Sequence, residues 1–214
     1  MTTSFQRNLT RPLLQWWHKN GRKDLPWQES PSIYKTWVSE IMLQQTQVIT
    51  VIPYFKKFIK AFPSVTSLAG ASEDQVMSHW SGLGFYARAR NLHQSSKIIV
   101  DLYKGEIPKK LEELIALPGI GRSTAGAILS LAYIEPQPIL DGNVKRVLSR
   151  HKRVDGILKK TTTVNKLWEI SEELLPHKNH GTYTQGIMDL VATVRTRNNP
   201  SSPACSGEQV REVS

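Results

Sequence analysis

Leu117-Pro118-Gly119-Ile120-Gly121 sets the sharpest limit on what this chain can fold into. Two glycines within three residues, with a proline just before them, stop one helix and leave a turn of unusual backbone freedom. A stretch rich in small residues, 123–132, then restarts a helix. Helix, glycine turn, helix over 109–132 lets main-chain N–H groups converge at the positive end of the second helix, which is how a fold holds phosphate. No side chain of the turn is suited to reading a base, so the grip expected is on a nucleic-acid backbone of any sequence. A turn of this kind also serves simply to join two helices. Further on, Asp141 stands in Ile139-Leu140-Asp141-Gly142-Asn143, at the mouth of another helix, where Asp is also one of the best N-caps.

Charge favours the phosphate reading. The chain has 28 Lys and Arg against 18 Asp and Glu, a net +10 spread along its length rather than gathered in a tail. A basic surface of that kind suits a polyanion, most often nucleic acid, although charge also serves plain solubility. The single cysteine, Cys205, excludes a disulfide framework and a multi-cysteine metal site, and points to a reducing compartment. No apolar run reaches membrane-spanning length and the N-terminus lacks a signal-peptide core. The expectation is a soluble intracellular protein.

The rest of the chain reads as helices. Thr10-Arg11-Pro12 is expected to start one, with Thr10 as N-cap and Gly21 as its end. Helices are expected at 34–46, at 51–62 with an aromatic core face, and from Ser72 to Trp80, where Ser72 and Gln75 make a capping box. Another follows the Gly82-Leu83-Gly84 break and runs to Tyr103. Beyond the hairpin, helices are expected at 143–151, 163–175 and 181–196, and the residues after them read as a loose polar tail. No strand pattern appears, so the fold class is all-α, with about ten helices joined by short turns.

Two places carry chemistry. In the helix over 34–46, Glu40, Gln44 and Gln47 form a polar stripe beside Trp37, Ile41 and Met42, and Gln45 adds to it. A carboxylate so surrounded is partly desolvated, which raises its pKa, unless it turns to the solvated side. Asp141 would be the second carboxylate. Two carboxylates in unlike environments can divide the roles of acid and anion. Cleavage at an anomeric carbon needs that division, to protonate the leaving group and to stabilise a sugar cation. On DNA it also requires extrusion of the base. Phe85, Tyr86, Arg88 and Arg90, just after the glycine break, suit stacking on bases and pairing with phosphates, or else form an aromatic staple with solvated arginines.

Taken together, GRKDLPW at 21–27, VSEIMLQQTQVITVIPYF at 38–55, SGLGFYARARNLH at 81–93, LPGIGRSTAGAILSLA at 117–132 and PILDGNVKRVLSR at 138–150 closely resemble the catalytic region of the MutY adenine DNA glycosylases. These are helix-hairpin-helix proteins related to endonuclease III, and the likeness covers about residues 8–197. It implies a helix-hairpin-helix DNA glycosylase fold, two helical domains flanking a DNA-binding cleft. One would be a six-helix domain over 28–135, and the other would join 1–27 to 136–214. By the resemblance Glu40 is the general acid that protonates adenine, Asp141 stabilises the sugar intermediate, and Asn143 supports the site. Asp189 matches an acidic residue facing the adenine. Gln44 and Gln45 match the stretch that probes the opened duplex. Pro118, Gly119, Ile120 and Gly121 form the phosphate-binding hairpin, which in the family often holds a monovalent cation. The implied partner is double-stranded DNA with a flipped adenine, bound by a monomer in a bacterial cytoplasm, at the nucleoid.

Departures from the family pattern sharpen the expectation. Relatives that also cut the strand place a lysine at position 123, where it attacks the sugar by Schiff-base chemistry. Ser123 stands here, which implies a monofunctional glycosylase that removes adenine opposite 8-oxoguanine or guanine. The family's four iron–sulfur cysteines fall on Arg195, Ser202, Cys205 and Arg211, and one thiolate cannot hold that cluster, so no cluster is expected. With its last residue at Ser214, the chain is expected to lack the family's C-terminal domain that helps recognise 8-oxoguanine. Preference for that lesion is therefore expected to weaken, or to come from the catalytic region or a partner. The family commonly has Tyr where Phe85 stands, and Phe keeps the stacking face but loses the hydroxyl. Two other readings fit the same motifs, a non-catalytic lesion-binding protein and a glycosylase of altered base specificity.

Overall fold

The structure is a computed structural model that describes residues 9–133, 135–154, 158 and 160–193. Among these residues every regular element is helical, as the all-α expectation requires. The chain divides into two compact units, Lys23–Ile128 and a discontinuous unit of Met1–Arg22 with Leu129–Ser214.

The Lys23–Ile128 unit is built on α2, Ile33–Leu43. Ser32 starts this helix by accepting the Lys35 N–H on its hydroxyl at 3.2 Å. The helix is apolar over most of its circumference. Tyr34, Trp37, Val38, Ile41 and Met42 are all buried, the pattern of a helix enclosed by others rather than lying on a surface. It packs against α3 (Val48–Ala61), α6 (Ala87–Tyr103) and α8 (Arg122–Ile128). Two short helices, α4 (Val65–Ala69) and α5 (Glu73–Trp80), lie on α6, and α7 (Leu111–Ile115) lies on α8. The core is aromatic at its centre, where Phe58 meets Phe62 and Trp80 edge-on at 4.9 and 5.9 Å. The capping box foreseen at Ser72 and Gln75 is formed. A second, at Ser64 and Ser67, starts the short helix α4, which has no counterpart in the sequence reading.

The discontinuous unit centres on α11, His180–Thr193, which packs against α1 (Thr10–Asn20), against a π-helical turn at Leu129–Tyr133 and against α9 (Gly142–His151). α10, Thr161–Leu174, lies on α9. Close approach here depends on glycine. A Cβ on Gly181 would lie 2.9 Å from the Ser130 carbonyl oxygen, and one on Gly21 would lie 2.3 Å from the Trp17 indole. The expected N-cap Thr10 is instead the first residue of α1, and Leu9 takes the cap position without a side-chain bond. The Thr10 hydroxyl donates to the Leu174 carbonyl at 2.8 Å, a tertiary partner that outweighs the local capping preference. The small-residue helix expected over 123–132 is α8 followed directly by the π turn.

Candidate functional site

Glu40 sits in the third turn of α2 and is half-buried, beside the buried Ser39 and Ile41. The helix ends at Leu43, and Gln44 leaves it with ψ 111°. Gln45 follows in the left-handed region at φ 58°, exposed. Gln44 and Gln45 therefore separate. The Gln44 amide turns toward the hairpin, donating to the Gly119 carbonyl and to the Thr124 hydroxyl, each at 3.3 Å, while Gln45 stands out to solvent.

In the hairpin, Gly119 has φ +78°, which a residue with a side chain adopts only at a cost. A Cβ there would also lie 2.8 Å from Cβ of Asn91. The Pro118 carbonyl accepts a 2.9 Å bond from the Ser95 hydroxyl, which ties the turn to α6. Ile120 is buried and anchors the turn from within, while Gly119, Gly121 and Arg122 are exposed and Ser123 is half-buried. The hairpin thus shows main chain to solvent on one side and fixes it with an apolar plug on the other. Thr124 and Asn91 complete this arrangement and carry no motif of their own. Gly119→Ala is expected to lower the free energy of unfolding by about 2 kcal/mol, from the left-handed φ and the crowding of Asn91. A urea melt with an unchanged midpoint would contradict this.

The turn after α5 presents Phe85 and Tyr86, which are 57% and 41% exposed, a display of aromatic surface that a lone structural staple would hide. Arg88, expected among the residues that meet DNA, is buried and its guanidinium points inward. Nη1 donates to the carbonyls of Ile41, Met42 and Gln44 at 3.3, 2.7 and 2.5 Å, and Nη2 donates to the Gly84 carbonyl at 3.1 Å. The reason lies at the C-terminal end of α2, where carbonyls carry partial negative charge and attract a fixed positive one. Burial pushes the Arg88 guanidinium below its ordinary pKa.

In the discontinuous unit, Asp141 is the N-cap of α9. Its Oδ1 accepts the N–H of Asn143 at 2.9 Å and of Val144 at 2.7 Å. Among the described residues Oδ2 accepts no bond, and the side chain is exposed. Capping and chemistry are therefore compatible in one carboxylate, since one oxygen holds its orientation and the other stays available. Asn143 is also exposed and accepts a short bond from Arg146. Asp189, which by the resemblance matches an acidic residue facing the adenine, is fully buried, and its carboxylate accepts from Trp17 Nε1 at 2.9 Å, from the Arg22 main chain at 3.0 Å and from the Arg22 guanidinium at 2.6 and 3.0 Å. Gln185 adds a bond at 3.3 Å. These bonds brace α11 against α1 within their own unit.

Arg195, Ser202, Cys205 and Arg211 lie outside the described residues. Among the described residues no group of three or more His, Cys, Asp or Glu is placed to hold a metal ion, and no helix is long and apolar enough to cross a membrane.

An all-helical protein with a glycine hairpin between helices and an exposed carboxylate capping a later helix has the architecture of the helix-hairpin-helix DNA glycosylases. The solved structures agree at the level of fold. A thermostable thymine-DNA glycosylase superposes with TM-score 0.84 at 23% identity, covering 96% of this chain and 94% of its own. An endonuclease III–DNA complex gives TM-score 0.78 at 18% identity, covering 94% and 92%. The sequence profile of the HhH-GPD superfamily base excision DNA repair proteins matches residues 38–173, and the chain belongs to that family. Among its relatives, the adenine DNA glycosylase of Buchnera aphidicola (subspecies Acyrthosiphon pisum, strain APS) is 51% identical over 193 residues, 90% of this chain and 55% of the relative. That of Rattus norvegicus is 38% identical over 95% of this chain and 40% of its own length. The chain thus spans about half the length of these relatives.

Proposed function

We propose that the chain is a monofunctional adenine DNA glycosylase of base excision repair, which hydrolyses the N-glycosidic bond of adenine paired with 8-oxoguanine or guanine. The observation that carries this reading is Asp141, an exposed carboxylate held by one oxygen and available at the other, in a chain 51% identical to a protein named for that activity. In the proposed reaction Glu40 gives its proton to the adenine ring as the bond from the sugar C1′ to the base nitrogen breaks. The bonding electrons leave with the base, and the positive charge left on the sugar is stabilised by Asp141. Water then adds to C1′ and its proton passes to the Glu40 carboxylate. The products are free adenine and an abasic site, with the strand intact.

The opened duplex would be probed by Gln45, Phe85 and Tyr86, and the neighbouring phosphates would be met by the hairpin at Gly119 and Gly121. A monovalent cation at the hairpin would be held by carbonyl oxygens of residues 117–119, each of which accepts one hydrogen bond and keeps a second lone pair. The family's iron–sulfur cluster does not fit the residues present, because the sequence offers one cysteine where four are needed. Binding to duplex DNA is proposed as a monomer, in the cytoplasm.

Ser123 cannot form a Schiff base, so strand cleavage should not accompany base removal. A duplex with one adenine opposite 8-oxoguanine is therefore expected to break only after alkali or heat. A strong covalent complex trapped by borohydride would overturn the monofunctional assignment.

A further inference from the structure

Two turns of the Lys23–Ile128 unit carry a residue in a costly backbone conformation, and one side chain holds both. Gln45 has φ 58° and Phe85 has φ 50°, the left-handed region that is uphill for residues bearing a Cβ. Both side chains are exposed. The Arg88 guanidinium donates through Nη1 to the Gln44 carbonyl, in the peptide that leads into Gln45, and through Nη2 to the Gly84 carbonyl, in the peptide that leads into Phe85. The same Nη1 bonds the Ile41 and Met42 carbonyls, so the turn is fixed relative to the helix that carries Glu40. The Phe85 ring lies 5.1 Å from the guanidinium carbon and the Trp80 ring 5.5 Å. Trp80 Nε1 donates to the same Gly84 carbonyl at 3.0 Å.

We infer that Arg88 is a positioning residue, which fixes the main chain ahead of Gln45 and ahead of Phe85 so that these two side chains enter an opened duplex as one rigid probe. The inference rests on the function proposed above for what the probe meets, and on geometry alone for the clamp. A planar fork presents separate nitrogens to carbonyls on two turns and stacks flat on aromatic faces, whereas lysine offers a single compact ammonium on a flexible stem.

The test compares hydrogen exchange of wild type, Arg88→Lys and Leu114→Ala in the folded state. Leu114 is fully buried in the same unit and lies on α7, outside both turns, so its truncation controls for lost stability. Arg88→Lys should speed exchange at residues 44–47 and 84–87 together by about tenfold or more, leaving α7 and α8 protected. Unchanged exchange in either turn, or the same pattern in Leu114→Ala, overturns the clamp. Should Arg88→Lys not fold, it is made in a Phe85→Gly background, where glycine takes the left-handed conformation freely. Residues 44–47 should still exchange faster than in Phe85→Gly alone, and equal exchange overturns the inference. A second arm reads duplex opening by the fluorescence of 2-aminopurine opposite 8-oxoguanine at saturating protein. Arg88→Lys should lose most of the wild-type increase and Leu114→Ala should keep it. No increase with wild type would count against the adenine reading, and the exchange data would still decide the clamp.

Discussion

Glu40→Gln is expected to slow adenine excision by on the order of 10²–10⁴-fold, the usual worth of a general acid, and Asp141→Asn by a similar factor. Neither change should weaken binding to the mispaired duplex. Each removes a negative charge from a protein that meets phosphate, so affinity should hold or rise. The half-buried position of Glu40 on a rigid helix and the fixed rotamer of Asp141 both favour this separation of chemistry from binding. Asp141→Asn also has a structural side, because the Asn143 and Val144 N–H groups need an acceptor. Asn supplies one at nearly equal capping strength, so the fold should survive the change. The measurement is single-turnover excision beside a titration of the uncleaved duplex. Equal loss of binding and rate in both variants would refute the assignment of these carboxylates.

Arg22→Ala should cost about 3 kcal/mol of stability, because it leaves the Asp189 carboxylate buried with its principal charge partner gone. The Asp189 side chain is 1% exposed while Arg22 is 26% exposed, so the desolvation falls on the acid. Trp17 Nε1 and the Arg22 main-chain N–H would remain as donors, which keeps the cost toward the lower end for a broken buried pair. Asp189→Asn should be comparably harmful, since its amide would set N–H groups against the guanidinium, donor against donor. Denaturant unfolding of both variants measures this. Wild-type stability combined with lost excision would favour the adenine-facing role that the resemblance implies for Asp189.

Arg88 and Asp189 show where sequence reading stops. What local spacing encodes was legible: the capping box at Ser72 and Gln75, the apolar surround of α2, the glycine hairpin, and Asp141 ahead of a helix. The direction in which a polar side chain turns was not. Arg88 follows a glycine break and two aromatics, a pattern equally consistent with an outward or an inward guanidinium. The carbonyls that draw it inward belong to residues 44 to 47 positions earlier in the chain. Asp189 finds Trp17 and Arg22 across 172 and 167 residues, and no spacing announces such a pair. Thr10 was misplaced by one position for the same reason, since its partner is the carbonyl of Leu174, 164 residues away.

The central claim, hydrolysis at a mispaired adenine, is tested most directly by release of the free base. Duplexes carrying one labelled adenine opposite 8-oxoguanine, guanine or thymine would be incubated with excess protein, and the liberated base quantified by chromatography. Adenine should appear from the 8-oxoguanine and guanine pairs, with an equal number of alkali-labile sites in the strand, and not from the thymine pair. Tight binding to the mispairs with no adenine released from either would contradict the account and favour a lesion-binding protein.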